Sequence, residues 1–181
     1  MVCNGFVAGA PRARIKAPKA GRRVSGQRVT IVAELVSGEP SDVQKATFQY
    51  RAPGSSVWLD VPAANLNHPN PDLGHPYFVH WDVSALAAGT YDLRVVAMDT
   101  VGAVDPSPET LSVVVDPVQP DLVEGLDGFG REVQRARVDV AADTTIVSAA
   151  EDQERLGSVT LPAGASNAND WLSVTSLAPG E

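Results

Sequence analysis

The stretch that decides the fold is TYDLRVVAMD, residues Thr90–Asp99. Apolar and polar side chains alternate along it, so that one face carries Tyr91, Leu93, Val95 and Ala97. This two-residue period is typical of a half-buried β-strand, whereas an amphipathic helix repeats its apolar residues every three or four positions. The sequence therefore predicts a strand here, with this face directed into a core.

Shorter segments with the same alternation lie on both sides of this strand. Proline, glycine, asparagine and aspartate separate them, as expected of turns. The predicted strands are Arg12–Ala17, Gln27–Val36, Val43–Arg51, Val57–Leu59, Tyr77–Val83 and Leu111–Val115. Together with the first strand they make seven in roughly 105 residues, which is typical of an antiparallel β-sandwich.

The composition agrees with an all-β globular protein and shows an uneven charge distribution. The 181 residues include 15 glycines and 14 prolines, and the formal net charge is −8. An acidic body opposes binding to nucleic acid. The chain before Glu34 nevertheless contains no acid and seven bases: Arg12, Arg14, Lys16, Lys19, Arg22, Arg23 and Arg28. We expect a solvated strand face and a turn here, with contact to an acidic partner or a polyanion as the alternative.

The pattern predicts three regions. They are an immunoglobulin-like sandwich over 12–116, a linker over 117–135 and a second β-rich segment over 136–181. The strands predicted in the last region are Ala136–Ala141, Thr144–Ala149, Ser158–Leu161 and Trp171–Thr175. Four short strands leave open edges, and one sheet leaves an apolar face without a partner layer. That face comprises Val138, Val140, Ile146, Val147, Val159, Leu161 and Leu172.

We therefore predict that this second segment is incomplete by itself. The complete strand count of the first sandwich gives it little reason to supply the missing layer. The expected partners are other proteins or copies of this chain, which would add strands to the sheet edges, or further residues of a longer parent. The alternative is that the segment folds back on the first sandwich.

Three groups of residues carry a resemblance to a known family. Those similar to the opening of bacterial immunoglobulin-like modules are Ile15-Lys16-Ala17-Pro18, Gly21, Val24-Ser25-Gly26 and Val29-Thr30-Ile31. Those similar to the third strand and its turn are Phe48-Gln49-Tyr50-Arg51, Gly54 and Trp58. Those similar to the closing half are Trp81-Asp82, Leu86, Gly89-Thr90-Tyr91-Asp92-Leu93-Arg94, Ala97 and Asp99. The region 12–116 thus resembles these modules and fibronectin type III domains, which implies a β-sandwich and says little about a ligand.

Tyr91 has the sequence context of a tyrosine corner. Leu86 and Gly89 precede it at the expected spacing. Such a tyrosine packs its ring in the core and donates a hydrogen bond to backbone near the preceding turn. The single cysteine, Cys3, excludes an intrachain disulfide, so core packing must replace the disulfide of antibody domains.

Three groups of side chains have residue types that could form a site, and each is expected to be structural. His68, His75 and His80, with Asp72 and Asp82 nearby, match no zinc spacing. The first two histidines lie in a loop rich in proline and asparagine, and we expect solvent-exposed histidines rather than a metal site. Asp99, Asp105 and Glu109 lack the dense ligand pattern of a calcium loop, and Asp99 is expected to cap a turn. Trp58, Trp81 and Trp171 lie on separate strands, which favours core or rim packing over sugar stacking.

The sequence therefore predicts no enzyme, no cofactor and no catalytic, cofactor-binding or metal residues. Nucleophile elbow, zinc-protease, P-loop and dinucleotide motifs are all absent from it. We expect a non-catalytic structural or adhesive immunoglobulin-like module of an exported bacterial protein, located outside the cell or on its surface, without membrane insertion. The alternatives are an accessory module of a secreted hydrolase (peptidase or glycoside hydrolase) and a calcium- or carbohydrate-binding module.

Overall fold

A computed structural model describes residues 9–63, 68–126, 131–149, 156–166 and 170–175. Within these ranges the chain is almost entirely strand and turn, with one short 3-10 turn at Pro40–Asp42. No helix in this part of the chain is long and apolar enough to cross a membrane. The strands are β1 (Arg12–Ala17), β2 (Arg23–Gly26), β3 (Val29–Ser37), β4 (Val43–Arg51), β5 (Leu59–Asp60), β6 (Phe78–Trp81), β7 (Gly89–Asp99), β8 (Thr110–Val115), β9 (Leu122–Leu126), β10 (Glu132–Arg137), β11 (Thr144–Ala149), β12 (Leu156–Leu161) and β13 (Trp171–Thr175).

Two sheets face each other and form the predicted sandwich. The smaller sheet has the order β1-β3-β6, and the opposing strands have the order β2-β8-β7-β4-β5. The predicted strand Arg12–Ala17 is β1 and pairs with β3, whereas β2, which the sequence did not predict, pairs in parallel with β8 in the opposing sheet. This all-β, immunoglobulin- and fibronectin type III-like fold confirms the predicted fold class.

The alternation read from the sequence places the core. The side chains of Tyr91, Leu93, Val95 and Ala97 on β7 are all buried, as predicted. They face the buried side chains of Val29, Ile31 and Ala33 on β3 and of Val79 and Trp81 on β6. These residues belong to one continuous apolar cluster. The burial of this alternating apolar surface is the main contribution that holds the sandwich together.

The larger sheet continues beyond the sandwich, which differs from the predicted organisation. β9 lies within the segment predicted as a linker and pairs in parallel with β2, and β10 and β13 follow, so that the sheet has eight strands. A two-stranded hairpin of β11 and β12 packs beside it. The physical reason is that β8 occupies only one edge of β2, and the unpaired backbone groups of the other edge pair with β9.

The expectation that the sandwich supplies no layer for the C-terminal segment is wrong in part. Val32 and Phe78 are buried on the outer face of the smaller sheet, and Val147 of β11 packs against them. Ile146 joins the main core at 1% exposure, yet Val140 and Val159 remain 41% and 45% exposed. The sandwich thus covers only part of the apolar face.

Tyr91→Phe is expected to lower the free energy of unfolding by about 0.5–1.5 kcal/mol, because the hydrogen bond that joins the core tyrosine to the preceding turn is lost. The Tyr91 hydroxyl donates to the carbonyl oxygen of Ala87 at 3.0 Å, and the residue is 5% exposed, as expected of a tyrosine corner. Urea denaturation measures the change. The matched control is Tyr50→Phe, since the Tyr50 hydroxyl has no hydrogen-bond partner among the described residues. A loss below about 0.3 kcal/mol would contradict this role.

Candidate functional site

The three histidines do not form a common site. His75 is exposed, but the expectation of exposure is wrong for His68 and His80, which are 7% and 2% exposed. The His68 ring stacks on Phe78 at 3.9 Å between centroids, and His80 lies on β6, which is covered on both faces. Within the described part of the chain, no group of histidine, cysteine and acidic side chains could hold a metal ion. Cys3 lies outside the described residues.

The two neighbouring acids of this region have structural contacts. The Asp72 carboxylate accepts hydrogen bonds from the backbone N–H groups of Gly74 and Phe78. Burial raises the pKa of Asp72, which these hydrogen bonds oppose. Asp82 accepts from the backbone and the hydroxyl of Ser84. Both acids therefore stabilise the loops on either side of β6.

The three acids with the residue type of calcium ligands, Asp99, Asp105 and Glu109, contact other groups of the protein. Asp99 caps its turn, as predicted, by accepting hydrogen bonds from the backbone N–H groups of Val101 and Ala103. The guanidinium of Arg12 lies 3.7 Å from the Asp105 carboxylate and 3.9 Å from that of Glu109. A cation of the protein thus occupies the position between these two acids where a calcium ion would be needed.

The three tryptophans are distributed over the molecule. Trp81 is a core residue at 1% exposure, as predicted. The half-buried Trp58 ring contacts the guanidinium groups of Arg51 and Arg94, 4.8 and 4.2 Å from its centroid. Trp171 is 42% exposed on β13. They form no row on which a sugar chain could stack.

The least expected group lies where the C-terminal strands meet the sandwich. Glu124 of β9 is 2% exposed, and its carboxyl accepts hydrogen bonds from both the backbone N–H and the hydroxyl of Thr30. The Thr30 hydroxyl also lies 3.2 Å from Nδ1 of His80. Burial raises the pKa of Glu124 to about 8 against these hydrogen bonds, so the carboxyl is mostly neutral at pH 7.

The register of β3 explains why a carboxyl is needed there. Ala33 donates its N–H to the carbonyl of Tyr77, which directly precedes β6, so the alternation of an antiparallel ladder directs the N–H of Thr30 away from β6. On that side β1 has already ended, since Ala17 pairs with Val32. The Glu124 side chain therefore satisfies a buried donor that no strand reaches.

A buried ion pair lies beside this group. The Arg28 guanidinium is 2.8 Å from the Glu132 carboxylate, and both side chains are largely buried. Glu132 raises the pKa of Glu124 and Arg28 lowers it, both less than burial does. The junction is thus a polar cluster within an apolar interface. Such a cluster holds two elements in one relative position only when all of its buried polar groups have hydrogen-bond partners.

The other notable feature is the edge of the eight-stranded sheet at β13, where no strand from the described part of the chain pairs on the outer side. The N–H of Val138 donates to the carbonyl of Asp170 next to this strand. Because hydrogen-bonded and non-bonded pairs alternate, Leu172 and Val174 bond to β10, and the backbone groups of Trp171, Ser173 and Thr175 point outwards. These three side chains are exposed on the same face.

Comparisons with known proteins bear on the fold only. The sequence matches no family model and no curated protein. Among solved structures it is similar to the fibronectin(III)-like modules of CbhA from Clostridium thermocellum, at 17% identity and a TM-score of 0.41 over 61% of this chain and 49% of that one. It is also similar to the FN1–FN3 domains of chicken CNTN1, at 13% identity and a TM-score of 0.39 over 93% of this chain and 56% of that one. The chain spans about half the length of both, and the fold assignment rests on its own strand order.

Proposed function

We propose that the protein is a non-catalytic structural or adhesive module of an exported bacterial surface protein. In this proposal it associates with protein partners, or with copies of itself, through the sheet edge of its C-terminal segment. The observation that carries the proposal is β13, which ends the eight-stranded sheet with outward-pointing backbone groups. An open edge of this kind is a template for another strand.

The chemistry of β13 supports pairing rather than protection. Edge strands that avoid association carry lysine, proline, a bulge or an inward-pointing charge. β13 has the sequence Trp171-Leu-Ser-Val-Thr175, which contains none of these residues, and its pairing with β10 is regular over five residues. Trp171 adds an aromatic ring that is 42% exposed at this edge. The edge therefore combines free backbone groups with apolar contact area.

Ser173→Pro is expected to weaken self-association about tenfold or more. The outward N–H of Ser173 would be lost without breaking a bond to β10, and each lost hydrogen bond costs about 1 kcal/mol in both copies of an antiparallel pair. Ser173→Lys is expected to act in the same direction, because like charges would face each other across the new pair. Sedimentation velocity of the full chain over a wide concentration range measures the dissociation constant.

The matched control is Ser41→Lys. Ser41 is exposed in the turn Pro40–Asp42, distant in the fold from β13, and receives the same change in charge and size. It is expected to leave the dissociation constant unchanged. A wild-type chain that stays monomeric at every concentration, or equal weakening by Ser41→Lys and Ser173→Lys, would contradict self-association through this edge.

A further inference from the structure

A cavity of about 310 Å³ lies at the junction of the sandwich and the C-terminal strands. The end of β1 with the following turn, the start of β9 and the hairpin strand β11 form its walls. This volume is at the lower end of the range for small-molecule pockets, roughly 300–1,000 Å³. The cavity is distinct from the β13 edge, and it exists because the C-terminal segment packs on the sandwich.

The lining has separate apolar and hydrogen-bonding parts. Its apolar side chains are those of Ala17, Pro18, Leu122 and Val147. Its uncharged hydrogen-bonding groups are the hydroxyls of Thr30, Thr144 and Thr145 and the carboxyl of Glu124, which is mostly neutral at pH 7. Thr144 accepts a hydrogen bond from the backbone of Asp139, which leaves its hydroxyl proton for another acceptor. A ligand with hydroxyl groups and C–H faces would match both parts.

The charged residues of the lining make it cationic within an acidic protein. They are Lys16, Lys19 and Arg22 against Asp143. Lys16 and Lys19 are exposed, and Arg22 is half-buried, with one Nη donating to the carbonyl of Asp121. The chain as a whole has a formal charge of −8. Three of the seven basic residues that precede Glu34 therefore form a local positive charge at this cavity. An anionic group on a ligand would be attracted to this rim rather than to the rest of the surface.

We propose that this cavity binds a hydroxylated carboxylate of monosaccharide size, that is, a sugar acid. The carboxylate contacts Lys16, Lys19 and Arg22 at the rim, where the flexible side chains of the two exposed lysines can reach it. The hydroxyl groups bond to the threonines and Glu124, and the C–H face of the ligand packs on Leu122, as is usual for polar ligands in partly apolar pockets.

The test is an NMR titration of the full-length protein with D-glucuronate, D-gluconate, D-glucose and D-glucosamine. The pyranose probes differ mainly in charge, and gluconate keeps the carboxylate without the ring. We expect at least one of the two carboxylates to shift the backbone amides of Thr30, Leu122 and Thr145, and glucose to bind about tenfold more weakly because it lacks the charge-assisted contact. Glucosamine is expected to cause no shift.

The double variant Lys16→Gln/Lys19→Gln is expected to weaken binding of the carboxylate about tenfold or more. Arg14→Gln is the matched control, since Arg14 lies on the same strand but pairs with Glu34 and does not line the cavity. Its dissociation constant is expected to equal that of the wild type. The proposal is overturned if neither carboxylate shifts these amides, if glucose binds as tightly as the tighter-binding carboxylate, or if Arg14→Gln weakens binding as much as the double variant.

Discussion

Gly26→Ala is expected to lower the free energy of unfolding by about 3 kcal/mol or more, and to separate the C-terminal strands from the sandwich. A Cβ atom at position 26 would lie 1.9 Å from the backbone oxygen of Glu124, where no side-chain movement can relieve the clash. The same oxygen accepts the N–H of Gln27 at 2.9 Å. Gly26 also has a φ angle of +110°, a backbone conformation that residues other than glycine rarely adopt. The alanine therefore forces β2 and β9 apart.

The matched control is Gly125→Ala. Gly125 is adjacent to Glu124 on β9, and a Cβ atom there would meet nothing within 4 Å. We expect this variant to change the free energy of unfolding by less than about 1 kcal/mol. Urea denaturation measures both variants, and hydrogen exchange of the β9 and β10 amides reports separation of the strands. Equal stability of the two variants would show that the β2–β9 contact does not hold the C-terminal segment.

The contact between β2 and β9 also shows where sequence reasoning was insufficient. β4, β7 and β11 were predicted because each has its own alternating pattern over six or more residues. β2 has four residues and β9 has five, and the latter contains a glycine and a glutamate. They pair across almost a hundred residues, with Gly26 opposite Glu124. A short strand stabilised by a distant neighbour has no local periodicity, so the pattern predicted a linker.

Glu124 was missed for a related reason. A glutamate is almost never fully buried unless it has a partner, and composition therefore placed it in a solvated linker. Its partner is the backbone N–H of Thr30, which becomes available only because β1 ends early. Glycine at position 26 gave a partial signal, since a strand glycine often indicates close approach of another backbone. The cavity depends on the same contact, because Leu122 and Glu124 reach the sandwich only through β9.

Glu124→Gln is expected to stabilise the protein increasingly as the pH rises from about 5 to 8. The pKa of Glu124 is about 8 in the folded protein and has a reference value of 4.5. Between these values the unfolded chain loses the proton and the folded protein keeps it, so the wild type loses stability as the pH rises. The full difference corresponds to about 5 kcal/mol, of which most is reached at pH 8. Glutamine keeps an oxygen for the Thr30 donors and has no proton to lose.

Glu124→Ala separates the two roles of this side chain. It removes the titration as glutamine does, but it leaves the Thr30 N–H unsatisfied and is therefore expected to cost about 1–3 kcal/mol at pH 5, where the wild-type carboxyl is neutral. Glu109→Gln is the control for a solvated acid. The Glu109 side chain is 51% exposed, and its carboxylate comes no closer than 3.9 Å to the guanidinium of Arg12. This variant is expected to leave the pH profile of the wild type unchanged.

The measurement is the free energy of unfolding in urea at intervals between pH 5 and pH 9. Other groups facing Glu124, namely Glu132, Arg28 and His80 through Thr30, are common to wild type and Glu124→Gln, so the difference between the two profiles isolates this carboxyl. A difference that grows up to about pH 8 and is then constant supports a neutral buried acid. A constant difference from pH 5 onwards would mean that Glu124 is ionised in the folded protein. The hydrogen bonds and charges around it would then offset the free-energy cost of burying the carboxylate.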